Sequence, residues 1–146
     1  MKYDVIIIGA GPGGIFSAYE LSKKSSLKIA VFEAGYELQK RKCPIDGKKI
    51  RTCINCASCS IMNGFGGAGA FSDGKYNITN DFGGTLYEYI GKDKAIELMK
   101  YVDEINVKYG GQDTKMYSTA GSNFKKLCMQ NKLKLLDASV RHLGTD

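Results

Sequence analysis

Residues 9–14 read Gly9-Ala10-Gly11-Pro12-Gly13-Gly14, directly after the apolar run Val5-Ile6-Ile7-Ile8, and Glu33 closes the next apolar run. A strand, a G-x-G-x-x-G turn, a helix and a second strand ending in an acid are the parts of a dinucleotide-binding βαβ unit. Gly9 permits the tight turn out of the strand, and Gly11, without a Cβ, lets a pyrophosphate approach the backbone. Pro12 and Gly13 complete the turn, and Gly14 lets the helix pack closely on the sheet. The pyrophosphate is expected at the helix N-terminus, where free N–H groups and the positive dipole end converge. Glu33 follows Gly14 by nineteen residues, where a carboxylate accepts hydrogen bonds from ribose hydroxyls and repels a 2′-phosphate, which disfavours NADP. The bland alternative is a glycine-rich turn between two buried elements.

A second group of residues has ligand chemistry. Cys53, Cys56 and Cys59 form a C-x2-C-x2-C run, with Cys43-Pro44 ten residues before it. Thiols at this spacing can converge on one centre. Similar spacing with a Cys-Pro element ligates [4Fe–4S] clusters, although there the Cys-Pro follows the run. Four thiolates also make a closed zinc site. Inert loop thiols and a redox-active pair are the other readings. Arg41, Lys42, Lys48, Lys49 and Arg51 surround the cysteines and either offset a thiolate centre or form a solvated basic loop. Cys128 stands apart and reads as a core residue.

A third group is the glycine run of residues 64–75, which holds five glycines with Phe65 and Phe71 between them. Five glycines carry a high cost in chain entropy. They read as a backbone cradle against a flat ring or its phosphates, with Gly66 and Gly67 at its centre and Ser72, Asp73 and Lys75 at its polar end. The plain alternative is a set of sharp bends packed on the two phenylalanines.

The elements that must position these groups follow from pattern. Residues 3–8 predict a fully buried parallel strand, residues 13–24 a helix, and residues 28–32 a second strand inside the sheet. Residues 34–63 have no period and predict a long loop, of the kind that usually carries function. Helical spacing returns over residues 93–109, with Asp93 as N-cap and Gly110-Gly111 as the stop. A short helix is expected over 122–131, and extended chain over 133–136 and 139–143.

The chain has 146 residues, 21 basic and 15 acidic side chains and a net charge of +6. That is one domain's length, and the whole of residues 1–146 reads as the N-terminal portion of a FAD/NAD(P)-binding domain. The basic residues are scattered and lack interleaved aromatics, which argues against nucleic acid. No apolar run can span a membrane, and no basic n-region precedes a cleavage site. A cytoplasmic location with reduced cysteines is therefore expected. His142, the single histidine, gives no catalytic assignment.

The opening V-I-I-I-G-A-G-P-G-G with V-F-E at 31–33, R-K-C-P at 41–44, the cysteine run and N-G-F-G-G-A-G-A-F-S-D-G-K at 63–75 together resemble one family. It is the family of FAD-dependent, NAD(FAD)-utilising dehydrogenases within the two-dinucleotide-binding-domain flavoproteins. The resemblance implies a Rossmann-like α/β fold, incomplete here because family members run to several hundred residues. It implies FAD held by Gly9, Gly11, Gly13, Gly14 and Glu33, with Gly66, Gly67 and Ser72 bordering the flavin. Electron or hydride transfer is the implied activity, with NAD(P)H as a candidate donor. An NAD-dependent dehydrogenase and a non-catalytic, truncated nucleotide-binding remnant are the rival readings. Substrate, electron acceptor and oligomeric state are not specified by the sequence.

Overall fold

The computed structural model describes residues 2–144 and divides into two compact units, one ending at Ser72 and the other beginning at Asp73. In the first unit, β1 (Val5–Ile8) and β2 (Ile29–Phe32) pair in parallel with Val5 opposite Ile29 and Ile8 opposite Phe32. Between them runs α1 (Pro12–Lys24), with Pro12 in its first turn and Lys23 and Lys24 in its last, as the helix dipole favours. This is an α/β arrangement with a parallel two-stranded sheet. Residues 34–67 contain one 3-10 turn, Leu38–Lys40, and otherwise only bends, turns and coil. A second 3-10 turn, Ala68–Phe71, closes the unit.

Burial departs from the sequence expectation. Ile6 and Ile8 are 58% and 81% exposed, and Phe32 is 55% exposed, so neither strand is fully buried. Side chains alternate across a strand, and α1 covers only the face carrying Ile7, whose side chain abuts Gly14. The opposite face, with Ile6 paired to Ala30 and Ile8 to Phe32, is the one that carries the exposed Ile6, Ile8 and Phe32 side chains.

The second unit holds a three-stranded antiparallel sheet in the order β3-β5-β4. Its strands are β3 (Lys75–Ile78), β4 (Met116–Ser118) and β5 (Ser139–His142). The long helix α3 (Lys92–Asn106) packs on β3 and follows the short α2 (Leu86–Ile90). Ala95 and Ile105 lie buried on α3, while Leu98 is 45% exposed. Gly91, not Asp93, is the N-cap; Asp93 sits in the first turn, where a carboxylate suits the dipole. After a π turn, Val107–Gly111, the chain leaves the helical path at Gly110, with φ of +134°. The last helix is α4 (Phe124–Gln130), with Cys128 half-buried, and residues 133–136 form no strand.

One ion pair organises this unit. Arg141 on β5 donates from Nε to Asp103 Oδ1 at 2.7 Å and from Nη2 to Oδ2 at 3.0 Å, and from Nη1 to the Thr114 carbonyl at 2.6 Å. Strand, helix and the approach to β4 are thereby tied together. Beside it, the Tyr76 hydroxyl donates to the Met99 carbonyl at 2.7 Å. Burial, with the Asp103 charge adding to it, pushes the Tyr76 phenol up to about 12.

Candidate functional site

The glycine turn is built as its sequence requires. Gly9 has φ of +96°, and its N–H donates to the Phe32 carbonyl at 2.6 Å, which carries the parallel pairing into the turn. A Cβ at residue 14 would run into the Gly9 carbonyl oxygen, so only glycine lets α1 start this close to β1. Gly13, in contrast, has open space where a Cβ would stand. The Gly11 carbonyl takes the Ile15 N–H at 3.0 Å, and no acidic side chain lies in the first turn. The first N–H groups of a helix have no partner within it. This end of α1 therefore presents donors and a positive dipole end, suited to an anionic group.

The second glycine run is seated on the first. The Gly66 N–H donates to the Ala10 carbonyl at 2.8 Å. A Cβ on Gly67, which has φ of +63°, would stand 3.1 Å from the Gly11 Cα and 3.3 Å from the Pro12 Cδ. The fold thus lays Gly66 and Gly67 against Ala10, Gly11 and Pro12 at the start of α1. Ser72 ends the 3-10 turn, its N–H bonded to the Gly69 carbonyl at 3.1 Å. Asp73 and Lys75 belong to the second unit, where they pair with each other at 3.1 Å.

Glu33 is the clasp between the two runs. Its Oε2 accepts from the Ala10 N–H at 2.7 Å, and its Oε1 accepts from Gly35 at 2.8 Å and Gly64 at 3.1 Å. These backbone donors, Ala10 foremost, hold its carboxyl below the usual glutamate value of 4.5. A carboxylate offers about four lone-pair sites, so three are already used within the protein. Gly35 is a further forced glycine, since its Cβ would stand 2.5 Å from the Gly64 nitrogen.

Arg41 does what its residue type alone does not announce. It is only 3% exposed. Its guanidinium donates to the carbonyls of Ser60 at 2.8 Å, Ile61 at 2.7 Å, Phe65 at 2.8 Å and Gly67 at 2.8 Å. Its plane also lies 4.7 Å from the Phe71 ring centre. In sequence it is one of five cations around a cysteine loop. In the fold it ties both ends of that loop to the second glycine run.

The four loop cysteines, Cys43, Cys53, Cys56 and Cys59, line one cavity of about 230 Å³. All are free thiols, the first three exposed and Cys59 half-buried. They do not converge as the spacing predicts. Among the described residues, no three of His, Cys, Asp or Glu stand close enough together to hold a metal ion.

No helix among the described residues is long and apolar enough to cross a membrane. The sequence profile of the Thi4 family matches residues 1–38, about a quarter of the chain, spanning β1, α1 and β2. No curated protein and no solved structure matches the chain. The matched stretch is thus the parallel β1–α1–β2 unit, and the matching family is one of the FAD/NAD(P)-binding Rossmann type.

Proposed function

We propose that this chain is the FAD-binding part of a flavin-dependent oxidoreductase. The observation that carries the reading is the seating of the second glycine run on the first. Gly67 lies against Gly11 at the N-terminus of α1, and Gly66 is bonded to Ala10. A bare dinucleotide turn needs only the first run. A second backbone cradle laid over it favours a cofactor with a large ring system, FAD, over NAD.

The residues present suit that cofactor. The N–H groups at the start of α1 would hold the pyrophosphate, and the Glu33 carboxylate would accept from a ribose hydroxyl. Gly66 and Gly67, seated beside Ala70 and on the first glycine run, would border the ring, with Ser72 at the edge. Bound FAD would supply hydride or electron transfer. The chain's own residues bind and orient it; they keep the turn rigid through Glu33 and Arg41. NAD(P)H as donor and a cytoplasmic setting belong to the same proposal.

Titration of the chain with FAD, followed by flavin fluorescence and tryptic fragment protection, tests the reading. Gly13→Asp is the informative variant. The open space at residue 13 admits a side chain, and an acid in the first helical turn favours the helix while repelling a pyrophosphate. The expected result is saturable FAD binding that weakens at least tenfold in Gly13→Asp, with an unchanged or higher melting temperature. Binding of NAD in place of FAD would favour the simple NAD-dependent reading. Equal FAD affinity in the variant would remove the pyrophosphate from this helix end.

A further inference from the structure

We propose that Cys43, Cys53, Cys56 and Cys59 form a four-thiolate centre for a soft metal, either a single zinc ion or an iron–sulfur cluster. The first observation is that all four line one cavity, with Ile45 and Ile54 among its walls. The fifth cysteine, Cys128, lies in the other unit. A volume of about 230 Å³ is several times the roughly 30 Å³ share of one water molecule.

The second observation is that each stretch between successive cysteines carries its own device for turning back. Between Cys43 and Cys53, Asp46 Oδ1 accepts from the Lys48 N–H at 2.8 Å and the Ile50 N–H at 2.9 Å, while the Asp46 N–H donates to the Ile50 carbonyl at 3.1 Å. Gly47, with φ of +71°, sits at the tip. Between Cys53 and Cys56, Asn55 adopts the left-handed conformation, with φ of +51°, uncommon outside glycine. Residues 57 and 58, before Cys59, form a bend. The two ends are fixed by Arg41, two residues before Cys43, whose guanidinium holds the carbonyls of Ser60 and Ile61 just after Cys59.

The third observation is charge. Residues 40–59 hold six basic side chains, Lys40, Arg41, Lys42, Lys48, Lys49 and Arg51, against one acid, Asp46. A divalent ion with four thiolates carries a net double negative charge, which this surplus offsets. Binding is a ligand exchange without electron transfer. Each thiol gives up its proton to solvent as its sulfur takes the metal, so affinity rises with pH. The four thiols line one cavity without standing at ligating distance among the described residues, so binding would draw them together on a frame that Arg41 already holds. Soft thiolate ligands select zinc, copper(I) and iron–sulfur species over hard oxygen-seeking ions.

Two arms of one experiment distinguish the occupants, using the full chain, reduced and anaerobic. In the first, cobalt(II) stands in for zinc. One equivalent is expected to give an intense thiolate-to-cobalt absorption band and to lower the count of reagent-accessible thiols from five to the one of Cys128. In the second, equal ferrous and ferric iron with sulfide should give a broad visible absorption with bound iron and sulfide, if a cluster is the occupant. Cys56→Ser should lose the signal in whichever arm shows it, and Cys128→Ser should keep it. Five reactive thiols and no band in either arm would overturn the proposal, as would a signal that survives Cys56→Ser. Cys56 is exposed, so its replacement leaves the fold intact, and a circular dichroism spectrum checks this.

Discussion

Glu33 has two oxygens and three backbone donors, and its charge is what makes the arrangement favourable. Because its folded value lies below 4.5, the stability it contributes is complete above about pH 4.5 and is lost as pH falls through that lower value. Glu33→Gln is therefore expected to melt earlier than the parent at pH 7 and to approach it at pH 3. Thermal unfolding at the two pH values measures this; an equal deficit at both would mean that shape, not charge, matters there. Gly14 is constrained differently. Its Cβ would meet the Gly9 carbonyl, a backbone atom that cannot rotate away. Gly14→Ala should cost about 3 kcal/mol through overpacking, whereas Gly13→Ala, with open space around it, should cost nothing in folding. Denaturant midpoints of the pair separate a glycine needed by the fold from one left free for a ligand.

At the level of elements, the Asp103–Arg141 pair joins α3 to β5, with both side chains about one-tenth exposed. Removing one partner of such a pair leaves the other charge without compensation, so Arg141→Ala should destabilise the second unit by about 3 kcal/mol in urea unfolding. Tyr76 reports on the same packing. With its phenol raised from 10 to about 12, its contribution is intact below pH 10 and lost as pH rises through 12. Ultraviolet titration should show a tyrosine ionisation step near pH 12, and Tyr76→Phe should abolish it. The elements themselves were unequally legible in the sequence. The apolar runs of β1 and β2, the turn between β1 and α1, and the 3.6-residue period of α3 all announce themselves locally. β3 and β4 do not. Lys-Tyr-Asn-Ile and Met-Tyr-Ser are short and only partly apolar, and they become strands because β5 pairs with both from more than twenty residues away. The candidate site divides in the same way. Its glycines are visible as glycines, because positive φ and close approach leave a compositional trace. The clasp made by Glu33 and the four-carbonyl grip of Arg41 depend on contacts across the loop, which no local spacing encodes.

Over the whole molecule, buried apolar side chains are few: Ala10, Ile78, Ala95 and Ile105 are the buried ones among the described residues. Much apolar surface stays outside, including the sheet face of Ile6, Ile8 and Phe32. Exposed contiguous apolar surface attracts hydrophobic dyes and other apolar surfaces. The folded chain should bind such a dye with strong fluorescence enhancement, and Ile8→Thr should lower that signal at least twofold without lowering the melting temperature. Arg41 has a different consequence, for proteolysis. Trypsin must draw a basic side chain into its own pocket, and Arg41 is committed inside the fold while Lys48, Lys49 and Arg51 stand exposed on the same loop. Brief digestion should therefore cut after those three and spare the bond after Arg41. Because the fragment carrying Arg41 still grips carbonyls on the far side of the cut, the nicked pieces should travel together on a native gel and separate only in detergent. One buried guanidinium would then hold a severed chain in register.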